Sequence, residues 1–147
     1  MIKNKKILIV DDDDAIRTTM KAILEDEGYT VDTASTGKEA IARTEKDVYN
    51  LALLDIRLPD MEGVDLLKLM KDPTPRTRKI MVTGFPTVQN AISAVNKQAD
   101  AYLVKPVDIE KLLQTVADQL KFQEEEQKFT EAKVAEFIES RVKDISI

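Results

Sequence analysis

Three apolar runs of this chain end in side chains that can handle charge. Ile7-Leu8-Ile9-Val10 leads into Asp11-Asp12, Leu51-Ala52-Leu53-Leu54 into Asp55, and Ala101-Tyr102-Leu103-Val104 into Lys105-Pro106. As parallel strands of one sheet, these runs bring three carboxylates and one ammonium to a common edge. Crowded carboxylates repel one another, so they bind a cation or keep a proton. With a lysine alongside, the cluster reads as a magnesium-assisted site for a phosphoryl group. Magnesium takes six oxygens, one or two of them from carboxylates and the rest largely from water and phosphate. Asp12 and Asp55 can supply direct oxygens, Asp11 can hold a metal-bound water, and a backbone carbonyl just past Asp55 can supply another. Asp55 ends the central run and is the best-placed nucleophile toward phosphorus. Lys105 and the hydroxyl of Thr83, which ends a fourth run, would each meet a phosphoryl oxygen.

Elements that could position these groups follow from hydrophobic periodicity. Short apolar runs alternate with amphipathic stretches of ten or more residues, the pattern of strand-helix units around a parallel sheet. Five units are predicted. Strand one, Lys5 to Val10, precedes a helix from about Asp14 to Glu27 whose Ile16, Met20, Ile23 and Leu24 share a face; Gly28 stops it. Strand two, Thr30 to Thr33, is half polar and suits an edge, and its helix starts near Gly37. Strand three, Leu51 to Leu54, is continuously apolar, as a strand covered on both faces should be. A turn-rich loop, Leu58 to Gly63, then opens a helix carrying Val64, Leu66, Leu67, Leu69 and Met70. Strand four is Lys79 to Val82, with a helix from about Thr87 to Asn96 after it. Strand five is Ala101 to Val104, and the last core helix runs through Leu112, Leu113, Val116 and Leu120. Five parallel units fit a doubly wound α/β sheet of order 2-1-3-4-5, which sets strands one and three side by side at the crevice where ligands bind. Beyond Lys121 the chain turns polar, then regains a helical stripe at Val134, Phe137, Ile138, Arg141, Val142 and Ile145. This tail either continues the fifth helix or forms a separate sixth one; a break near Gln127 to Thr130 is the preferred expectation, because the apolar period lapses there and Thr130 can cap.

Composition narrows the chemistry. The chain has 147 residues, 43% of them hydrophobic, enough for one substantial core. Its 27 acids and 22 bases give a net charge of -5 with no basic block, which argues against nucleic-acid binding by this chain alone. No apolar stretch approaches the roughly 20 residues of a membrane helix, and the first residues lead straight into a strand, pointing to a soluble, cytoplasmic protein with no membrane partner. The absence of cysteine and histidine excludes thiol nucleophiles, imidazole metal ligands, serine-histidine triads and a phosphohistidine on this chain. Carboxylates, hydroxyls, lysine and a metal remain.

Singly, each signal has a plain reading. Acids before a helix are commonly solvated caps, and Asp13 and Asp14 are assigned to that role. A lone Asp after a strand, a Thr before Gly84 and a Lys-Pro step are ordinary turn features. Jointly, at the ends of strands one, three, four and five, they make a site.

These residues match a family. From about Lys5 to Leu120 the chain resembles the receiver domain of two-component response regulators, through Ile9-Val10-Asp11-Asp12, Leu54-Asp55-Ile56-Arg57-Leu58-Pro59-Asp60-Met61-Glu62-Gly63, Met81-Val82-Thr83-Gly84 and Tyr102-Leu103-Val104-Lys105-Pro106. The resemblance implies Asp55 as phosphoacceptor, with Asp11, Asp12, Asp55 and the Arg57 carbonyl holding Mg2+, for which Mn2+ can substitute. It implies Thr83 and Lys105 as phosphate-binding groups, Thr83 and Tyr102 as a switch pair, and Lys105-Pro106 as a candidate cis peptide. The phosphoryl group would draw the threonine hydroxyl inward and let the aromatic ring follow, altering the surface of helix four, strand five and helix five. The donor would be a phosphohistidine on a sensor histidine kinase or phosphotransfer protein, and the output a downstream protein target. The chain would be a regulatory phosphoacceptor, catalysing only its own phosphorylation and slow autodephosphorylation. Arg57 and Phe85, both large, are expected to slow hydrolysis of the acyl phosphate.

The expected division is a receiver domain over residues 1–121 and a helical extension over 122–147, which is too short for a DNA-binding or ATPase output module. It reads as a stand-alone regulator's tail or as the start of a linker to an absent output domain. Its stripe would pack on the receiver or pair with a second copy in a homodimer. Two competing functions remain. A haloacid-dehalogenase-like phosphatase would need a second acid two residues after Asp55, where Arg57 stands. A non-phosphorylated interaction domain would have no need of Asp11, Asp12, Asp55, Thr83 and Lys105 together.

Overall fold

The computed structural model describes residues 5–70, 73, 75–84, 87 and 99–145. The continuous apolar runs become five parallel strands: β1 (Lys6–Val10), β2 (Thr30–Ala34), β3 (Leu51–Asp55), β4 (Arg78–Thr83) and β5 (Ala101–Val104). They lie in the order β2-β1-β3-β4-β5. The most apolar runs, β1 and β3, sit inside, and half-polar β2 lies at an edge. Alternation along each strand divides the core in two. Ile7, Ile9, Leu53 and Ile80 face Met20 and Leu24 of α1 (Asp14–Asp26) and Leu112, Val116 and Leu120 of the C-terminal helix (Ile109–Ile145). Leu8, Val10, Leu54 and Met81 face Ala40 of α2 (Gly37–Lys46) and Leu66 and Leu67 of α3 (Gly63–Leu69). Leu69, on the far side of α3, turns to solvent.

Local chemistry sets the boundaries. Asp13 caps α1 by accepting the Ile16 N–H at 3.1 Å, and Gly28 ends the turn after it at φ +99°, a conformation that favours glycine. The helix expected over about 87–96 lies, apart from Thr87, outside the described residues, as does Phe85.

The tail corrects one expectation. The C-terminal helix runs unbroken from Ile109 to Ile145, with no interruption near Gln127 to Thr130. Thr130 does not cap there: its hydroxyl donates back to the Glu126 carbonyl at 3.0 Å. The lapse in apolar periodicity is filled by Glu, Gln, Lys and Ala, all strong helix formers, and Gly and Pro are absent from the segment. The helix is also anchored before it leaves the body. Buried Gln123 donates to the Asn50 and Arg76 carbonyls, each at 2.8 Å, and Glu126 pairs with Arg78 at 2.6 Å.

Candidate functional site

Strand register brings the reactive residues together. Val10 lies opposite Leu54, Asp55 opposite Val82, and Thr83 opposite Val104. Asp11, Asp55, Thr83 and Lys105 therefore stand along one carboxyl edge of the sheet. Carboxylate oxygens of Asp11, Asp12 and Asp55 lie within 4.8 Å of one another. Asp11 is 2% exposed and Asp55 8%, while Asp12 opens to solvent. The Lys105 ammonium bridges the two buried acids, 2.8 Å from Asp11 Oδ2 and 3.1 Å from Asp55 Oδ2. The Lys105-Pro106 peptide is cis.

Each acid is held by its own backbone. Asp13 N–H donates to Asp11 Oδ1 at 2.9 Å, and Arg57 N–H donates to Asp55 Oδ1 at 3.2 Å. Arg17 binds the Asp11 carbonyl at 2.6 Å and pairs with Asp14, so Asp13 and Asp14 serve the helix start, not the cluster. Burial, followed by the Asp11 charge, raises the Asp55 carboxyl above its usual range, against the opposing pull of the Arg57 amide and Lys105. Lys105 loses some charge stabilisation by burial, but Asp11 first and then Asp55 hold its ammonium above the ordinary lysine range. The ammonium sits nearer Asp11 than Asp55.

Three carboxylates against one bridging ammonium leave two negative charges at the rim, the complement of a divalent cation. The donor set is all oxygen, which suits a hard ion such as Mg2+. Arg57 is exposed and forms an isolated antiparallel bridge with Glu62, which orients its peptide near the cluster. Thr83 is 1% exposed at the end of β4. The Tyr102 hydroxyl is buried with no hydrogen-bond partner among the described residues, and burial raises it above the ordinary phenol range.

Gly63 makes the approach of α3 to β3 feasible. A side-chain carbon there would collide with the Asp55 carbonyl oxygen and crowd the Met81 methyl. Gly63→Ala should therefore destabilise the protein by about 1–3 kcal/mol, read as a lower urea midpoint at unchanged slope.

The response regulator receiver domain family matches residues 7–117. The chain belongs to the response regulator receiver domain family. Among curated relatives, the alginate biosynthesis transcriptional regulatory protein AlgB of Pseudomonas aeruginosa is 41% identical over 118 residues, 80% of this chain and 26% of that protein. The chain thus spans about a quarter of the curated relatives it matches. A CheY-like receiver domain protein from Methanospirillum hungatei, solved by crystallography, is 48% identical with a TM-score of 0.78, covering 84% of this chain and 99% of that one. A response regulator from Burkholderia pseudomallei, crystallised with a phosphorylated aspartic acid and a calcium ion, is 28% identical with a TM-score of 0.70, covering 83% of this chain and 72% of that one. The receiver is a regulatory domain, and the response-regulator reading of the motifs stands over the phosphatase. Among the described residues no helix is long and apolar enough to cross a membrane.

Two acids are given no role in the sequence reading. Asp60 accepts the Gly37 N–H at 2.8 Å and the Lys38 N–H at 3.0 Å, tying the loop after β3 to the start of α2. At the opposite end of the sheet, Asp100 gathers Arg76, Arg78 and the Lys79 amide. The acid at 60 could have been suspected from its turn context, but its partner helix lies more than 20 residues upstream.

Proposed function

We propose that this receiver accepts a phosphoryl group on Asp55 from a phosphohistidine of a sensor histidine kinase or phosphotransfer protein. The carrying observation is the Asp55 carboxylate, nearly buried at the end of central β3 and tethered to Lys105 within reach of two further acids. An Asp55 oxygen attacks phosphorus as the phosphorus–nitrogen bond of the donor breaks, and the imidazole departs with a proton. Asp11, Asp12, Asp55 and the Arg57 carbonyl are the groups that would hold Mg2+. Bound there, Mg2+ screens the repulsion between the carboxylates and the incoming phosphoryl oxygens.

Lys105 and Thr83 would neutralise and hydrogen-bond the remaining phosphoryl oxygens. Thr83 moving toward the phosphoryl group opens space that the Tyr102 ring can enter. The Tyr102 hydroxyl, buried and without a partner among the described residues, supports this reading, because a polar atom so held favours an arrangement that supplies one. The changed surface would alter affinity for a downstream protein. Arg57 and Phe85, both large, would slow hydrolysis of the acyl phosphate. The division read from the sequence, a receiver over 1–121 and an extension over 122–147, is supported by the helix that continues past Lys121 to Ile145. The Burkholderia relative, with its phosphorylated aspartic acid and metal ion, supports the chemistry by similarity.

The test uses acetyl phosphate as a small donor. Incubation with Mg2+ should add one phosphoryl unit by intact mass, mapped to Asp55 by borohydride trapping and peptide analysis. Chelation with EDTA should abolish the addition. Modification elsewhere, or none under conditions that phosphorylate a control receiver, would refute the assignment.

A further inference from the structure

Residues 56–63 leave β3 and return to α3 as a closed loop. Its base is tied by Gly63 N–H donating to the Ile56 carbonyl at 2.5 Å and by the bridge between Arg57 and Glu62. Leu58 N–H closes the next turn on the Met61 carbonyl at 3.1 Å. The tip is held from outside. Both Asp60 carboxylate oxygens accept opening amides of α2, from Gly37 and Lys38. Beside them the Met61 thioether fills the space where Gly37 lacks a Cβ.

The first amides of a helix have no partner within it, and their partial positive charge suits a carboxylate. Those amides hold the Asp60 carboxyl below its ordinary range even in full solvent. Yet α2 already carries a cap of its own, Thr36, which accepts the Glu39 N–H at 3.1 Å. Asp60 binds different amides and comes from a different part of the chain, so its attachment restrains the loop as well as the helix.

We propose that Asp60 is a positioning residue for the divalent-cation site. By pinning the loop tip to α2, it fixes the Arg57 peptide, whose N–H orients Asp55 and whose carbonyl would be one of the protein ligands. This rests on the reading of Asp11, Asp12, Asp55 and the Arg57 carbonyl as the Mg2+ site. Mg2+ tolerates little departure from octahedral geometry. A carbonyl on a loop released at its tip therefore loses more as a ligand than the fold loses in stability.

Calorimetric titration of the full chain with Mg2+ separates this role from simple capping. Asp60→Ala should weaken Mg2+ affinity about 10-fold, the lower end of the effect of removing a group that orients a metal ligand. Asp60→Asn keeps one oxygen acceptor and should recover part of the loss. Thr36→Ala removes the other α2 cap without touching the loop; it should lower the thermal midpoint and leave Mg2+ affinity unchanged. Equal affinity in the parent and Asp60→Ala overturns the inference, as does a Thr36→Ala variant that weakens Mg2+ as much. Should Asp60→Ala not fold, Asp60→Asn against Thr36→Ala makes the same comparison. A parent that binds no Mg2+ overturns both this inference and the site reading beneath it.

Discussion

Asp55→Asn should abolish phosphorylation by acetyl phosphate and, in EDTA at pH 7, make the protein harder to unfold. The first effect follows from removing the nucleophilic oxygen while keeping the side chain's shape. An amide cannot form the acyl phosphate, and among the described residues the other carboxylates of the cluster differ in kind: Asp12 is exposed, and Asp11 is held by Lys105 and the Asp13 amide. The second effect follows from the raised carboxyl. Burial first, and then the charge of Asp11, make the ionised form costly in the fold. A carboxyl that binds its proton more tightly when folded contributes stability that is complete below its unfolded value and is lost as pH rises through its folded value. At a pH above that folded value the contribution is gone, and asparagine is free of the cost. Mg2+ should reverse the order, since loss of the Asp55 oxygen weakens the site and a ligand bound by the folded parent adds roughly 2.7 kcal/mol at a hundredfold excess over its dissociation constant. Urea unfolding of both proteins, with EDTA and with Mg2+, reads all four values. An asparagine variant less stable than the parent in EDTA would show that Lys105 over-compensates the burial of Asp55.

Local sequence was enough to read the strands. Leu51 to Leu54 is apolar on both faces because β3 is covered on both faces, and Thr30 to Thr33 is half polar because β2 has a free edge. Asp11, Asp55, Thr83 and Lys105 were legible for the same reason: parallel strands in register align whatever follows them, so sequence position translates into spatial position. Interactions joining separate backbone segments were not legible. Asp60 on the α2 amides, Gln123 on the Asn50 and Arg76 carbonyls, and Asp100 on the Lys79 amide all use main-chain partners, which carry no residue signature. Tyr49 is 1% exposed at the end of a polar stretch, because its hydroxyl reaches Asp32 at 2.6 Å while its ring fills the core. The expected helix break failed on a related ground: a polar lapse in periodicity marks a change of environment, and here the helix passes from the body into solvent without stopping.

Asp100 should matter most to the stability of the end of the sheet remote from the site. Its carboxylate takes both Arg76 nitrogens, at 2.8 and 2.9 Å, and the Lys79 N–H at 2.8 Å; Arg78 lies at 3.4 Å. Its own N–H returns a bond to the Lys79 carbonyl at 2.7 Å, so one residue closes the start of β5 onto β4. Arg78 also holds Glu126, which extends the network to the C-terminal helix. The Asp100 and Arg78 side chains are only 11% and 13% exposed, so the pair is little screened by salt and its loss is felt in full. Asp100→Ala should cost about 3 kcal/mol, as removal of one partner from a buried ion pair does, and lower the thermal midpoint by roughly 10 °C. Burial opposes ionisation here, but the Arg76 hydrogen bonds, the Lys79 amide and the two guanidinium charges outweigh it and hold the carboxyl below its ordinary range. Stability from such a group is present above the unfolded value, roughly 3.9, and is lost as pH falls through the folded one. The difference between the parent and Asp100→Asn should therefore be full at pH 7 and shrink steadily as acid is added below about pH 4. A difference that stays constant across that range would mean the asparagine loses packing or backbone bonds, and that the charge of Asp100 contributes nothing.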